Sequence, residues 1–135
     1  TGRRVEPGAS GGVTWQGTLA ALSGGLFIGL TAFLLIQVAA LATTGQPLAS
    51  DWPLALIAAL AGLAGSLFDS LLGATAQQIY WCPSCAKETE RRRHTCGALT
   101  QPLRGWRWLN NDAVNFVSSV AGGLLAGGLG LLFLA

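Results

Sequence analysis

Asp69 stands near the end of an otherwise apolar run, residues 53–75, within Gly65-Ser66-Leu67-Phe68-Asp69-Ser70-Leu71-Leu72-Gly73. A charged side chain at bilayer depth costs at least about 2.5 to 3.5 kcal/mol on insertion scales, and such residues face a bundle interior or a watery cavity. Asp69 therefore demands a polar partner. Gly62, Gly65, Ser66, Asp69 and Gly73 recur at helical spacing, which puts the carboxylate on a face that a neighbouring helix can approach closely. Gly65 and Gly73, one turn or so either side of Asp69, are candidate walls of a site, and Ser66 and Ser70 could position the acid. The plainer reading is a carboxylate that hydrogen-bonds a neighbour and only fixes the bundle.

Two more groups of residues carry chemistry by type and spacing. Asn110, Asn111, Asp112 and Asn115 open the last apolar run. They are the oxygen donors that Mg²⁺ shares with substrate phosphates. Asn111 or Asp112 could cap a helix, but capping accounts for only one or two of the four. Upstream, Gly11, Gly12, Thr14 and Thr18 lie in a Gly-rich lead into the first apolar run. Backbone N–H groups turned inward next to a helix start suit a phosphate, although the segment is neither a Walker loop nor a dinucleotide fingerprint. A flexible entry loop with a Thr cap is the competing reading.

All three cysteines and the single histidine fall within residues 82–96, as Cys82-x2-Cys85 and His94-x-Cys96. That donor set suits tetrahedral Zn²⁺ with a closed, structural shell; free thiols or a redox pair are the other readings. Between the two halves, Lys87, Arg91, Arg92 and Arg93 read as solvated charge, with contacts to phosphate or anionic head groups as the sharper alternative. Trp106 and Trp108 fit interfacial anchors. A nucleic-acid partner is not expected, because no base-stacking platform accompanies the short basic loop.

The elements that must position these groups are membrane helices. The chain is 135 residues long, 51% hydrophobic and only 10% charged, against about 25% charged in soluble domains. Three runs, 18–42, 53–75 and 113–135, reach the roughly 20 apolar residues a spanning helix needs. They are too long and too little alternating for membrane strands. The expected fold is an all-α polytopic bundle, with residues 1–17 a Gly-rich loop and 77–111 a Cys/His loop. Small residues at four-residue spacing, Ser118, Gly122, Ala126 and Gly130 with Gly25 and Gly29 elsewhere, supply packing faces.

Every one of the eight Lys and Arg side chains lies before 18 or within 77–111. The positive-inside rule then puts both polar loops on the cytoplasmic side of the cell inner membrane and the 43–52 connection outside. The absence of Met marks the sequence as a fragment, whose bundle upstream helices would complete.

Three stretches carry a family resemblance: Arg4-Val5-Glu6-Pro7-Gly8 with Gly11-Gly12-Val13-Thr14 and Gly17-Thr18; Gly65 to Gln77 around Asp69; and Leu109 to Phe116. Together they resemble the C-terminal half of the integral membrane family that includes plant phytyl-phosphate kinase and animal transmembrane protein nineteen. The resemblance implies phosphoryl transfer from CTP or another nucleoside triphosphate to an isoprenoid monophosphate, with a divalent ion. In that reading Asp69 and Asp112 hold Mg²⁺ or orient the acceptor phosphate, Asn111 and Asn115 complete the shell, and Gly11, Gly12, Thr14 and Thr18 cradle the nucleotide. The rival class is a transporter or flippase whose path runs past Asp69 and Gln37, and the third is a structural membrane subunit.

Overall fold

A computed structural model describes residues 10–47 and 52–134. Three long helices, α1 (Trp15–Thr44), α2 (Pro53–Thr75) and α3 (Asn111–Phe133), are each long and apolar enough to cross a membrane. Helix α1 starts where the Thr14 hydroxyl accepts the Gly17 N–H at 3.0 Å, and stops at Gly45, whose φ of 72° turns the chain so that its N–H reaches the Leu41 carbonyl. Its 30 residues correspond to roughly 45 Å of rise. That exceeds a hydrocarbon core of about 30 Å.

Helix α3 is capped by Asn110, whose side-chain oxygen accepts the Ala113 N–H at 2.9 Å. The expectation of Asn111 or Asp112 in that role is corrected: the helix begins at Asn111, so Asn110 holds the position from which a side chain can take the free N–H of the first turn.

The chain divides into two compact units. One comprises residues 14–66 and 119–135, of which the described part is the three spans over most of their length. Its contacts are between small residues. A Cβ placed on Gly25 would lie 2.7 Å from the Ala58 carbonyl oxygen, and one on Gly29 2.7 Å from the Ala55 Cα, so α1 and α2 touch backbone to backbone there. On α3, Gly122 faces the Ala61 carbonyl and Gly65. Gly65, read from sequence as a site wall, thus serves this helix contact. Gly123, Gly127 and Gly130 meet no described residue within 4 Å. Large apolar side chains such as Phe27, Leu35, Leu124 and Leu131 are exposed on all three helices, as lipid contact requires.

The other unit comprises residues 67–118 together with 10–13 among the described ones. The segment between α2 and α3 carries a small antiparallel sheet that the sequence reading left as loop. Strands β1 (Ile79–Cys82), β2 (Lys87–Thr89) and β3 (Gln101–Arg104) are ordered β2-β1-β3. Tyr80 pairs with Thr89 on one side and Pro102 on the other, and an irregularity interrupts the β3 pairing between Ile79 and Tyr80. Pro102 lacks an N–H, which an edge strand tolerates. Ile79, Leu109, Val114 and Cys82 form the core of this unit, with Gln77 buried among them.

Candidate functional site

The end of α2 is built as a junction of polar contacts. Arg104, at the end of β3, donates its guanidinium N–H groups to the Gly73 and Ala74 carbonyls at 3.2 to 3.3 Å. A cation on the last free carbonyls of a helix satisfies them and opposes the negative end of the dipole. Ser10 donates to the Gln77 side-chain oxygen at 2.7 Å, and Gly11 packs directly on Ala74. Gln78 spans the same region, its backbone N–H on the Leu109 carbonyl and its side-chain amide on the Arg104 carbonyl. Gly73, the second candidate wall, lies against Ser10, Gly11 and Gln77.

Gln77, Gln78 and Arg104 received no role from the sequence alone. The only signal was their place: two amides directly after an apolar run, and an arginine before a glycine.

Of the phosphate-cradle residues, Gly11 is occupied by this packing and Gly12 is exposed. The Thr14 hydroxyl caps α1, and Thr18 Oγ1 donates back to the Thr14 carbonyl at 2.9 Å.

Asp69 is half-buried on α2. Its electrostatic neighbours are the Ser118 hydroxyl of α3 and the carboxylate of Glu90. Ser118 is buried, and its hydroxyl completes no hydrogen bond of good geometry with any described residue. The Ser118 hydroxyl of the third span is thus an electrostatic neighbour of the second span's acid without a completed hydrogen bond to it. Ser70 is half-buried, while Ser66 and Asn115 are exposed. Gln37 is half-buried on α1.

Asn110, Asn111 and Asp112 line a cavity of about 470 Å³ together with Tyr80, Glu90, Arg91, Arg92 and Arg107. Asn115 is not among its lining residues. Among the described residues, Asp69 and Asp112 do not belong to a group of three or more metal-binding side chains, so a Mg²⁺ held there would draw most of its ligands from phosphates and water.

Cys82, Cys85, His94 and Cys96 converge, their ligand atoms all within 4.8 Å of one another. The local fold explains why. Strand β1 ends at Cys82, the turn to β2 carries Cys85, and its exit residue Ala86 has φ 51°. The second turn is closed by Gly97 N–H on the His94 carbonyl and His94 N–H on the Ala98 carbonyl, with Gly97 at φ 86°. Each Cys-bearing turn is thus followed by a left-handed residue that sends the chain back.

The Cys82 and Cys96 sulfurs are 3.7 Å apart, and His94 Nδ1 is 3.2 Å from Cys96 Sγ. Ligands at the usual Zn–S distance of about 2.3 Å in a tetrahedron stand roughly 3.8 Å apart, so the donor set fits that ion. The Cys96 thiol is lowered to about 6, first by the Ala98 backbone hydrogen bond and then by His94, while hydrogen bonding to Cys96 pushes Cys85 up to about 11. At neutral pH the metal-free cluster therefore pairs a Cys96 thiolate with a Cys85 thiol.

Two comparisons identify relatives. The family model described as "Integral membrane protein DUF92" matches residues 1–123. Protein PGR of Arabidopsis thaliana is 37% identical over 118 residues, 87% of this chain and 39% of that protein. The chain thus spans about two fifths of the length of that curated relative. No solved structure matches. With three membrane-length helices, a family match over nearly all of its length and this relative, the chain belongs to the DUF92 family of integral membrane proteins.

Proposed function

We propose that the complete protein is a membrane-embedded prenyl-phosphate kinase, moving a phosphoryl group from CTP or another nucleoside triphosphate onto an isoprenoid monophosphate. The observation that carries this reading is the collection, in one unit, of a half-buried intramembrane acid facing a hydroxyl and a polar cavity lined by acids, amides and arginines. Phosphoryl transfer asks little covalent work of a protein; it asks for phosphates held in line and their charge offset. Asp69 orients the acceptor phosphate near the membrane, aided by Ser66, Ser70 and Ser118. Asp112, with Asn111 and Asn115, holds the donor side. Mg²⁺, shared between these carboxylates and the phosphates, would supply charge neutralisation. The isoprenoid tail lies in lipid along the small-residue helix faces.

Zn²⁺ held by Cys82, Cys85, His94 and Cys96 would have a closed shell, so its part is structural: it fixes the 82–96 segment. The polar unit faces the cytoplasm of the cell. The test is to purify the complete protein into nanodiscs and supply γ-labelled CTP, ATP and GTP with phytyl or geranylgeranyl monophosphate. Label appearing in a prenyl diphosphate from any donor supports the reading. No transfer from all three, in protein that retains its fold, removes it.

A further inference from the structure

The cavity beside the start of α3 gathers three arginines, two from the basic run whose alternative reading is phosphate contact and a third, Arg107, that the sequence does not connect to them. Arg91, Arg92 and Arg107 line it with Tyr80, Glu90 and Asp112. Among the described residues none of the three has a carboxylate within ion-pair distance, although two acids share the cavity. Among the described residues the only side-chain hydrogen bond of the three is Arg92 Nε donating to the Tyr80 hydroxyl at 3.3 Å. Three guanidinium groups against the two carboxylates of Glu90 and Asp112 leave the space with an excess of positive charge that favours an anion.

Their backbones are held in place. Thr100 donates its hydroxyl to the Arg91 carbonyl at 2.8 Å and its N–H to the Arg92 carbonyl at 3.1 Å, and the Arg91 N–H reaches the Thr89 hydroxyl at 3.3 Å. Arg107 sits in a turn pinned by Trp106 N–H on the Ala76 carbonyl and Leu109 N–H on the Trp106 carbonyl, both at 2.9 Å. A fixed backbone lowers the entropy lost when these exposed side chains close on a ligand. The planar, always-charged fork of arginine matches phosphate oxygens two at a time. A volume of about 470 Å³ is within the range of small-ligand sites.

We propose that Arg91, Arg92 and Arg107 form a binding site for a phosphate-bearing ligand, gripping a chain of two or three phosphoryl groups. Asp112 and Glu90 face the same space and leave room for a divalent ion carried in on the phosphates. Identification of the ligand as the donor nucleotide rests on the kinase reading above; the grip on phosphate does not.

The experiment uses the complete protein in nanodiscs of phosphatidylcholine alone, titrated with inorganic tripolyphosphate and Mg²⁺ by calorimetry. A second arm replaces the lipid with phosphatidylglycerol and omits tripolyphosphate, reading retained anionic lipid by mass spectrometry. The variants are Arg91→Gln/Arg107→Gln, Arg91→Lys/Arg107→Lys, and Arg93→Gln, which lies outside the cavity lining.

We expect tripolyphosphate binding to weaken at least tenfold in the Gln pair, to recover in part in the Lys pair, and to stay within twofold in Arg93→Gln. Arginine-dependent retention of phosphatidylglycerol in place of tripolyphosphate keeps the phosphate site but assigns it to a lipid head group. Binding unchanged in the Gln pair, or arginine-independent in both arms, overturns the proposal. If the Gln pair does not fold, the Lys pair decides alone: it keeps the charge but not the fork, so unchanged affinity there counts against phosphate gripped two oxygens at a time. A protein that transfers no phosphoryl group yet binds tripolyphosphate through these arginines would sink the kinase reading and leave this one standing.

Discussion

The two units hold themselves together by different means. In the spans, neighbours are chosen by size: Gly25 and Gly29 of α1 sit on Ala55, Ala58 and Ala59 of α2, and Gly122 of α3 on Ala61 and Gly65. In the polar unit, neighbours are chosen by what they donate and accept. Arg104 ends α2, Ser10 meets Gln77, Thr100 ties down Arg91 and Arg92, and four N and S donors converge. Burial alone cannot order such a unit, because few of its side chains are fully inside. Lipid rewards close backbone approach, whereas a small watery domain needs specific partners.

The sharpest way to break that contrast is to remove one of the four converging donors proposed above as zinc ligands. Cys82 is fully buried, and zinc binding by comparable ligand sets contributes about 10 to 16 kcal/mol in finger peptides. Cys82→Ser should abolish bound zinc, measured by elemental analysis of the purified protein, and open residues 76–110 to protease while the spans stay folded. It should also weaken tripolyphosphate binding, because Arg91 and Arg92 lead directly into the His94 turn. Zinc-free wild-type protein with the same protease resistance would show that hydrogen bonds suffice.

Size dominates in the spans, so Gly25→Leu should cost about 1 to 3 kcal/mol, read as detergent-induced unfolding. Gly127→Ala, where nothing described lies within 4 Å, should change stability by less than about 0.5 kcal/mol. Equal effects at the two positions would contradict the packing account. Arg104→Ala leaves the Gly73 and Ala74 carbonyls without their donor; we expect about 1 to 2 kcal/mol, seen as faster hydrogen exchange at the α2 end.

The smallest effect is in thiol reactivity. A lowered Cys96 is mostly thiolate above pH about 6, whereas a raised Cys85 stays protonated until about 11. Alkylation of metal-stripped protein, mapped by mass spectrometry, should therefore climb at Cys96 as pH rises through about 6 and stay slow at Cys85 across neutral pH. Metal affinity should fall as pH drops below the same value, since protons then compete for Cys96. Equal labelling of Cys85 and Cys96 at pH 7 would contradict this.

The difference between the units also sets what sequence could tell. Hydropathy alone outlined the spans, because uninterrupted apolar length has one physical meaning in lipid. Cys82, Cys85, His94 and Cys96 announced themselves by type and spacing, and Asp69 by its cost. The strands between them did not, since β1, β2 and β3 are only three to four residues each and two are mostly exposed, too short for alternation to show. Arg91 and Arg92 read as solvated charge, with phosphate contact as the alternative, and Arg107 only as a topology signal, because nothing in their order reveals that a turn at Trp106 brings Arg107 to the other two. Asn110, rather than its neighbours, caps α3 because the start of a helix is fixed by backbone geometry that three consecutive polar residues leave open.

Asp69 is the residue on which the account turns, and Asp69→Asn in the complete protein is its most direct test. The variant keeps the shape and removes the charge. We predict normal membrane insertion and zinc content with prenyl-diphosphate formation reduced at least a hundredfold; turnover equal to wild type would contradict the account.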